Sequence, residues 1–148
     1  VLFAPEIPGN TGSIGRTCLG LNLKLHLIKP YGFELSEKAV RRAGLDYWKY
    51  VDLEEYDSWE DFLQRQSPSR ESLFFLSKFA EKSVFEATFS KDCFLVFGRE
   101  TTGLPDHIHQ KYSDRLLNLP MHSEHIRSYN LSNAATATAF EAYRQIHS

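Results

Sequence analysis

The chain has 148 residues, 42% of them hydrophobic and 14% aromatic, and a formal net charge of −2. That length fits one domain able to remove roughly 68–70% of its unfolded surface from water, and the near-neutral balance gives no global nucleic-acid footprint, so any RNA contact needs a local basic patch. Cys18 and Cys93 have no metal-like spacing and read as small buried hydrophobes in a reducing compartment, while no apolar run approaches the ~18 residues of a membrane span and no signal peptide is evident, so the expected location is the cytoplasm, with no membrane partner. The chain starts at Val1 without Met, which leaves room for a few leading residues.

In chain order, "VLFA" reads as a buried strand stopping at Pro5. In "PEIPGNTGSIGRTCLG" two prolines and four glycines make the first half a loop. From Thr11 onward Ile14, Cys18 and Leu21 fall at helical spacing, with Asn10 able to cap the start and Gly20 able to end it. Leu23, Leu25 and Leu27 alternate as in a strand that ends at Pro30. "SEKAVRRAG" is a short helix ended by Gly44, and "WKYVDL" a strand. Ser58 and Asp61 form a capping box for "WEDFLQRQ". "SLFFLSK" and "CFLVFG" resemble strands buried on both faces. "PDHIHQKY" is a helix with Pro105 first, "RLLNLP" another strand, and Leu131 to Ile146 the longest helix. "FAEKSVFEATFSKD" carries no clear signal. This alternation argues for a single α/β domain with a mostly parallel sheet flanked by helices.

Open α/β sheets bind ligands beyond the carboxyl ends of their strands. Four segments follow strands in this way: "PEIPGNTGSIGR", "SKFAEK", "GRETTGLP" and "PMHSEHIRSYNLSN". Three of them, all but "SKFAEK", are dense in Gly, Asn, Ser, Thr and Arg, and are expected to converge on one site. "NTGSIGR" is neither the dinucleotide fingerprint nor a phosphate loop. The histidines show no metal-ligand spacing, so no metal is expected, and no serine-hydrolase elbow is present. Arg41, Arg42 and Lys49 surround Tyr47 and Trp48, a mixture suited either to RNA or to an ordinary solvated face.

"PEIPGNTGSIGRTC", "FGRETTGLP" and "LPMHSEHIRSYNLSNAATATAFEAYRQ" closely resemble, in order, the three motifs of the SPOUT class of RNA methyltransferases. "LHLIKPYGFELSEKAVRRAGLDYW" resembles the small TrmL-type tRNA 2′-O-methyltransferases within that class. The resemblance covers nearly the whole of residues 1–148. It implies an α/β fold with a C-terminal trefoil knot, which folding rules alone would not have offered. It implies a homodimer, S-adenosylmethionine as methyl donor, and the wobble nucleotide (position 34) of leucine tRNAs as substrate. A rival target is another RNA such as ribosomal RNA, and a rival class is a non-catalytic RNA-binding protein on the same fold.

By the same resemblance Leu76, Gly98, Glu100, Gly103, Leu119, Met121, Ser128 and Leu131 belong to the cofactor site. Arg16, Ser128 and Asn130 belong to catalysis, and Asn10, Arg16, Arg41 and Arg42 to RNA binding. Gly98 is expected to be glycine because a side chain would fill space the ligand needs. A guanidinium stays protonated, so Arg16 is expected to position a hydroxyl or phosphate. Ala135, Ala139 and Ala142 share one helical face and suit close packing. Arg99, Thr102 and Phe140 stand where many relatives have Pro, Arg and, in some, Tyr; the loop "MHSEHIRS" is one residue longer than in some relatives. These departures bear on the RNA contacts and not on the cofactor.

Overall fold

A computed structural model describes residues 1–148, with every side chain except that of Glu37. The apolar runs become six short strands: β1 (Leu2–Phe3), β2 (Leu25–Ile28), β3 (Leu53–Tyr56), β4 (Leu73–Leu76), β5 (Phe94–Phe97) and β6 (Leu116–Leu117). They form one sheet in the order β3-β2-β1-β5-β4-β6, and every pairing is parallel. Five helices flank it: α1 (Pro8–Gly20), α2 (Glu37–Arg42), α3 (Trp59–Gln66), α4 (Asp106–Lys111) and α5 (Leu131–Ile146). From β1 the chain first builds outward through β2 and β3, then returns to build β4, β5 and β6 on the other side. The order therefore reverses between β1 and β5, and the carboxyl ends of those neighbours open the crevice where such sheets take ligands.

Several local expectations are corrected. Helix α1 starts at Pro8, not Thr11, with extended Ile7 as its N-cap. Proline fits the first helical position because its missing N–H would have had no partner there. Asn10 is thus inside the helix and buried, and is no cap. The glycines do not keep this stretch open: a Cβ on Gly15 would stand 2.5 Å from Cζ3 of Trp48, so the glycine lets the Trp48 ring lie directly on α1. That packing bends Trp48–Tyr50 into a 3-10 turn, and the strand begins only at Leu53. Pro105 precedes α4 as its N-cap. Ser58 Oγ accepts from the Asp61 N–H, but Asp61 reaches back to the N–H of Asp57, so the capping box is shifted by one residue. "FAEKSVFEATFSKD" contains one 3-10 turn, Val84–Glu86, closed by a full capping box from Ser83.

The two faces of the sheet have separate cores. Ile28, Tyr56, Leu73, Phe75 and Val96 pack with Trp59 and Phe62 of α3 and Ile108 of α4. Leu2, Leu25, Leu27 and Phe97 pack with Ile14 and Cys18 of α1 and Ala135 of α5. Alternate residues of one strand thus enter different cores, as a sheet covered on both sides requires. Ala135 and Ala142 are buried on the inner face of α5 while Ala139 is half-buried. Thr17 of α1 and Thr136 of α5 share a hydrogen bond of 2.9 Å.

In β2 the leucines of "LKLHLIKP" alternate with His26 and Ile28. All four residues of β2 are buried. Tyr56 Oη donates to Glu54 at 2.6 Å, so His26 Nδ1, 2.8 Å from the same hydroxyl, must be its donor. Burial lowers the His26 pKa from 6.5 to about 3. A histidine kept neutral by the fold contributes stability above its unfolded pKa and loses it as the pH falls from about 6.5 toward 3. Unfolding free energy is therefore expected to drop in that window by an extra ~1.4 kcal/mol per pH unit from this one group. Denaturant titrations of wild type and His26→Gln across pH 3–7 check this, the variant losing that share of the slope.

Candidate active site

A cavity of about 620 Å³ opens at the carboxyl ends of β1, β5, β4 and β6. All four post-strand segments line it, including the "SKFAEK" segment that composition had set apart. Its apolar wall comes from Leu76, Phe97, Leu104, Leu119, Leu131 and Ala134. Ser77, Asn118, Ser128, Asn130 and His109 supply polar edges.

The loops are tied by a reciprocal clasp. Glu6, after β1, accepts the N–H and hydroxyl of Thr101 at 3.0 and 2.6 Å, and these two bonds hold its carboxyl below the usual range. Glu100, after β5, accepts the N–H of Glu6 at 2.8 Å on Oε1. Its Oε2 accepts the N–H of Ile7 at 2.7 Å and the Asn10 amide at 3.2 Å. Ile7 has no side-chain cap of its own, so Glu100 caps α1 from a distant loop, where a carboxylate also suits the helix dipole. The tie continues into the last segment: Asn130 donates to Asn10 Oδ1 at 3.1 Å. Its own Oδ1 caps α5 by accepting from the N–H groups of Ser132 and Asn133 at 2.9 and 3.2 Å. Three separated motifs are thereby one hydrogen-bonded unit.

The turn after β5 is closed by paired backbone bonds between Arg99 and Gly103 at 3.2 and 2.9 Å. Gly103 sits at φ +70°, a region open to glycine. Gly98 has a reason to be glycine nearer than any ligand. A Cβ there would lie 2.1 Å from Gly103 C and 2.2 Å from Leu104 N, so the folded-back turn itself forbids a side chain, before any ligand arrives.

Of the residues expected at the cofactor site, Leu76, Gly98, Glu100, Gly103, Leu119, Met121, Ser128 and Leu131 all line this cavity, and so do Asn10 and Asn130. Glu100 and Asn10 face it with their polar groups already engaged by each other and by the start of α1. Their direct part is to hold the loops. Arg16 is not in the wall. It stands exposed on α1, about 9 Å along the axis from Asn10 at ~1.5 Å per residue, its guanidinium 5.5 Å from the Tyr47 ring. Arg41 and Arg42, in the last turn of α2, also lie outside the cavity. Tyr47 and Trp48 do not offer free rings: Tyr47 Oη donates to Gly12 O at 2.8 Å and Trp48 lies on Gly15. Composition missed Ser77, Lys78, Phe79 and His109, because nothing local marks them; their position after a buried strand was the one available sign. Among the described residues no group of three or more His, Cys, Asp or Glu is placed to hold a metal ion, and no helix is long and apolar enough to cross a membrane.

A parallel sheet whose order reverses beside a loop-walled cavity defines an α/β protein of the ligand-binding, doubly wound kind. A profile of the SpoU rRNA Methylase family matches residues 1–140. The chain is 45% identical over 147 residues to a tRNA (cytidine(34)-2'-O)-methyltransferase from Saccharophagus degradans, covering 99% of this chain and 94% of that one. A Bacillus subtilis relative, given the same name provisionally, is 47% identical over 148 residues, covering 98% of this chain and 91% of its own. A solved structure concerned with 2-OH methylation of C/U34 on tRNA superposes with a TM-score of 0.85 at 42% identity, covering 97% of this chain and 92% of the other. The chain belongs to the SpoU rRNA Methylase family, and the SPOUT resemblance read from its motifs is borne out. It is a methyltransferase.

Proposed function

We propose that the protein methylates the ribose 2′-oxygen of the wobble nucleotide, position 34, of tRNA, with S-adenosylmethionine as donor and leucine tRNAs as the substrates. The observation that carries this reading is the meeting of four post-strand loops around one cavity, in a chain aligned end to end with a methyltransferase of that name. A SpoU methyltransferase from Streptomyces viridochromogenes, solved with AdoMet, shares the fold at a TM-score of 0.79 and 26% identity, covering 97% of this chain and 56% of its own. The cavity suits that donor: an apolar wall for a flat nucleoside, with polar groups at its edges.

When bound, S-adenosylmethionine supplies an electrophilic methyl group on a sulfonium. The chain's task is to hold and align, and alignment can supply much of the acceleration. Leu76, Leu119 and Leu131 would pack the nucleoside. The turn from Gly98 to Gly103 would bring backbone close to it, with Met121 and Ser128 at the rim. Glu100, Asn10 and Asn130 keep these parts in register. Arg16, outside the wall, would position the RNA through a phosphate or the attacking hydroxyl, and Arg41 and Arg42 would extend that basic face. A homodimer would cover the outer side of α1 and α5, where Leu19, Phe140 and Tyr143 are exposed. The family also leads us to read the segment ending in α5 as the threaded part of a trefoil knot, and the cytoplasm as the location.

The test is incubation with labelled S-adenosylmethionine and total RNA from a strain lacking the enzyme, followed by mapping of the labelled nucleotide. Label on the 2′-oxygen of tRNA position 34 is expected; label only on ribosomal RNA, or none, overturns the reading. Arg16→Lys is expected to bind the donor as wild type does while turnover falls about 100-fold, and unchanged turnover removes the role given to Arg16.

A further inference from the structure

The turn after β4 presents an aromatic ring to solvent at the mouth of the cavity. Phe79 lines the cavity and is 75% exposed, an unusual setting for a phenylalanine so close to a buried strand. The turn is pinned rather than loose. Ser77 Oγ accepts the N–H of Phe79 at 3.2 Å, and Ser77 O accepts that of Ala80 at 3.2 Å. The Asn118 side-chain amide donates to Ala80 O, and the Asn118 N–H donates to Lys82 O at 2.8 Å. His109 Nε2 lies 2.8 Å from Ser77 Oγ, and its ring meets the Phe79 ring edge-on with centroids 6.1 Å apart. The ammonium of Lys78 lies 5.3 Å from the same ring.

The charges around the cavity single out Lys78. Arg99 is matched by Glu6 at 3.3 Å. Glu100 is engaged by three donors at the start of α1. Among the described residues no carboxylate pairs with Lys78. The rim therefore carries a cation beside a solvent-facing aromatic ring on a pinned turn, which is the combination that takes an unpaired base and its phosphate. With three quarters of its surface open to solvent, this ring is met by a macromolecule arriving from outside.

We propose that Phe79, with Lys78 and His109 beside it, stacks an unpaired base of the RNA substrate at the cavity mouth, with Lys78 on the adjoining phosphate. This rests on the function proposed above and adds a recognition element to it: the RNA must present a splayed, single-stranded nucleotide. Lys78 and Phe79 are binding residues here, and the Ser77–His109 contact positions them.

The experiment measures methyl transfer by the full chain at varied tRNA and varied donor concentrations, with donor binding followed separately by calorimetry. Phe79→Ala and Phe79→Leu are expected to raise KM for tRNA about tenfold, with kcat and donor affinity within about twofold of wild type, and Phe79→Trp to restore KM. Lys78→Ala is expected to weaken tRNA binding and to lower its salt dependence by about one counterion. A Phe79→Leu variant with wild-type KM overturns the inference, because apolar bulk would then suffice. So does a variant that loses donor affinity while its KM for tRNA is unmoved, since the ring would then be a wall of the donor site. Wild-type protein that binds donor yet methylates no tRNA removes the proposed function and this inference together, whereas normal wild-type turnover with an indifferent Phe79→Leu removes the inference alone.

Discussion

Gly98→Ala is expected to destabilise the protein by about 3 kcal/mol, the upper part of the usual cost of overpacking, and to abolish donor binding. The added methyl would stand 2.1 Å from Gly103 C, 2.2 Å from Leu104 N and 2.6 Å from Gly103 O. All three are backbone atoms, which cannot swing aside as a flexible side chain can. The turn would have to open, carrying Glu100 away from α1. A chain of this size loses ~2–4 °C of melting temperature per kcal/mol, so a drop of about 6–12 °C is expected. Gly103→Ala is the contrast. A Cβ there meets nothing within 4 Å, so the cost is the left-handed backbone alone, about 1–2 kcal/mol. Thermal melts and donor calorimetry on the two variants test the ranking, and equal effects would mean that the turn yields freely at Gly98.

Glu100→Ala and Glu100→Gln are expected to fail almost equally. Glu100 uses both oxygens as acceptors, one for the N–H of Glu6 and the other for Ile7 and Asn10. Glutamine has only one acceptor oxygen, and its NH₂ would face an N–H donor. The charge that suits the start of α1 is lost in both variants. Removing these bonds is expected to cost about 1–3 kcal/mol and to weaken donor binding at least about tenfold, since the loops that wall the cavity would no longer be tied. Were Glu100 instead a simple one-oxygen contact to ligand, glutamine would rescue it, and calorimetry on the pair would show that directly.

Much of the fold was legible because its signals are local. Ser36 and Ser58 mark the starts of α2 and α3 by bonding backbone three residues on, and Asn130 does the same for α5 through two N–H groups. The short apolar runs of β4 and β5 read as strands because both faces of a parallel sheet are buried. Local signals ran out where a distant partner decided the outcome. Asparagine is a common cap, yet Asn10 lies inside α1 and Glu100, 90 residues away, caps the helix in its place. His26 carries no local sign of burial, and Tyr56 of the neighbouring strand holds it inside. Of the two settings open to Tyr47 and Trp48, a ligand or an ordinary face, neither foretold that Gly12 and Gly15 of α1 engage them.

The amino-acid order by itself determined the α/β alternation, the caps of α2, α3 and α5 and the identity of the loops that follow strands, since each depends on residues within a few positions of one another. The tertiary structure alone decided that the strand order reverses between β1 and β5, which sets Glu6 against Thr101 and Glu100 against Ile7. It also decided that "SKFAEK" belongs to the same cavity and that backbone already demands glycine at position 98. The contacts of Glu6 and Glu100 join residues some 90 positions apart, and their geometry exists only once the strands have paired.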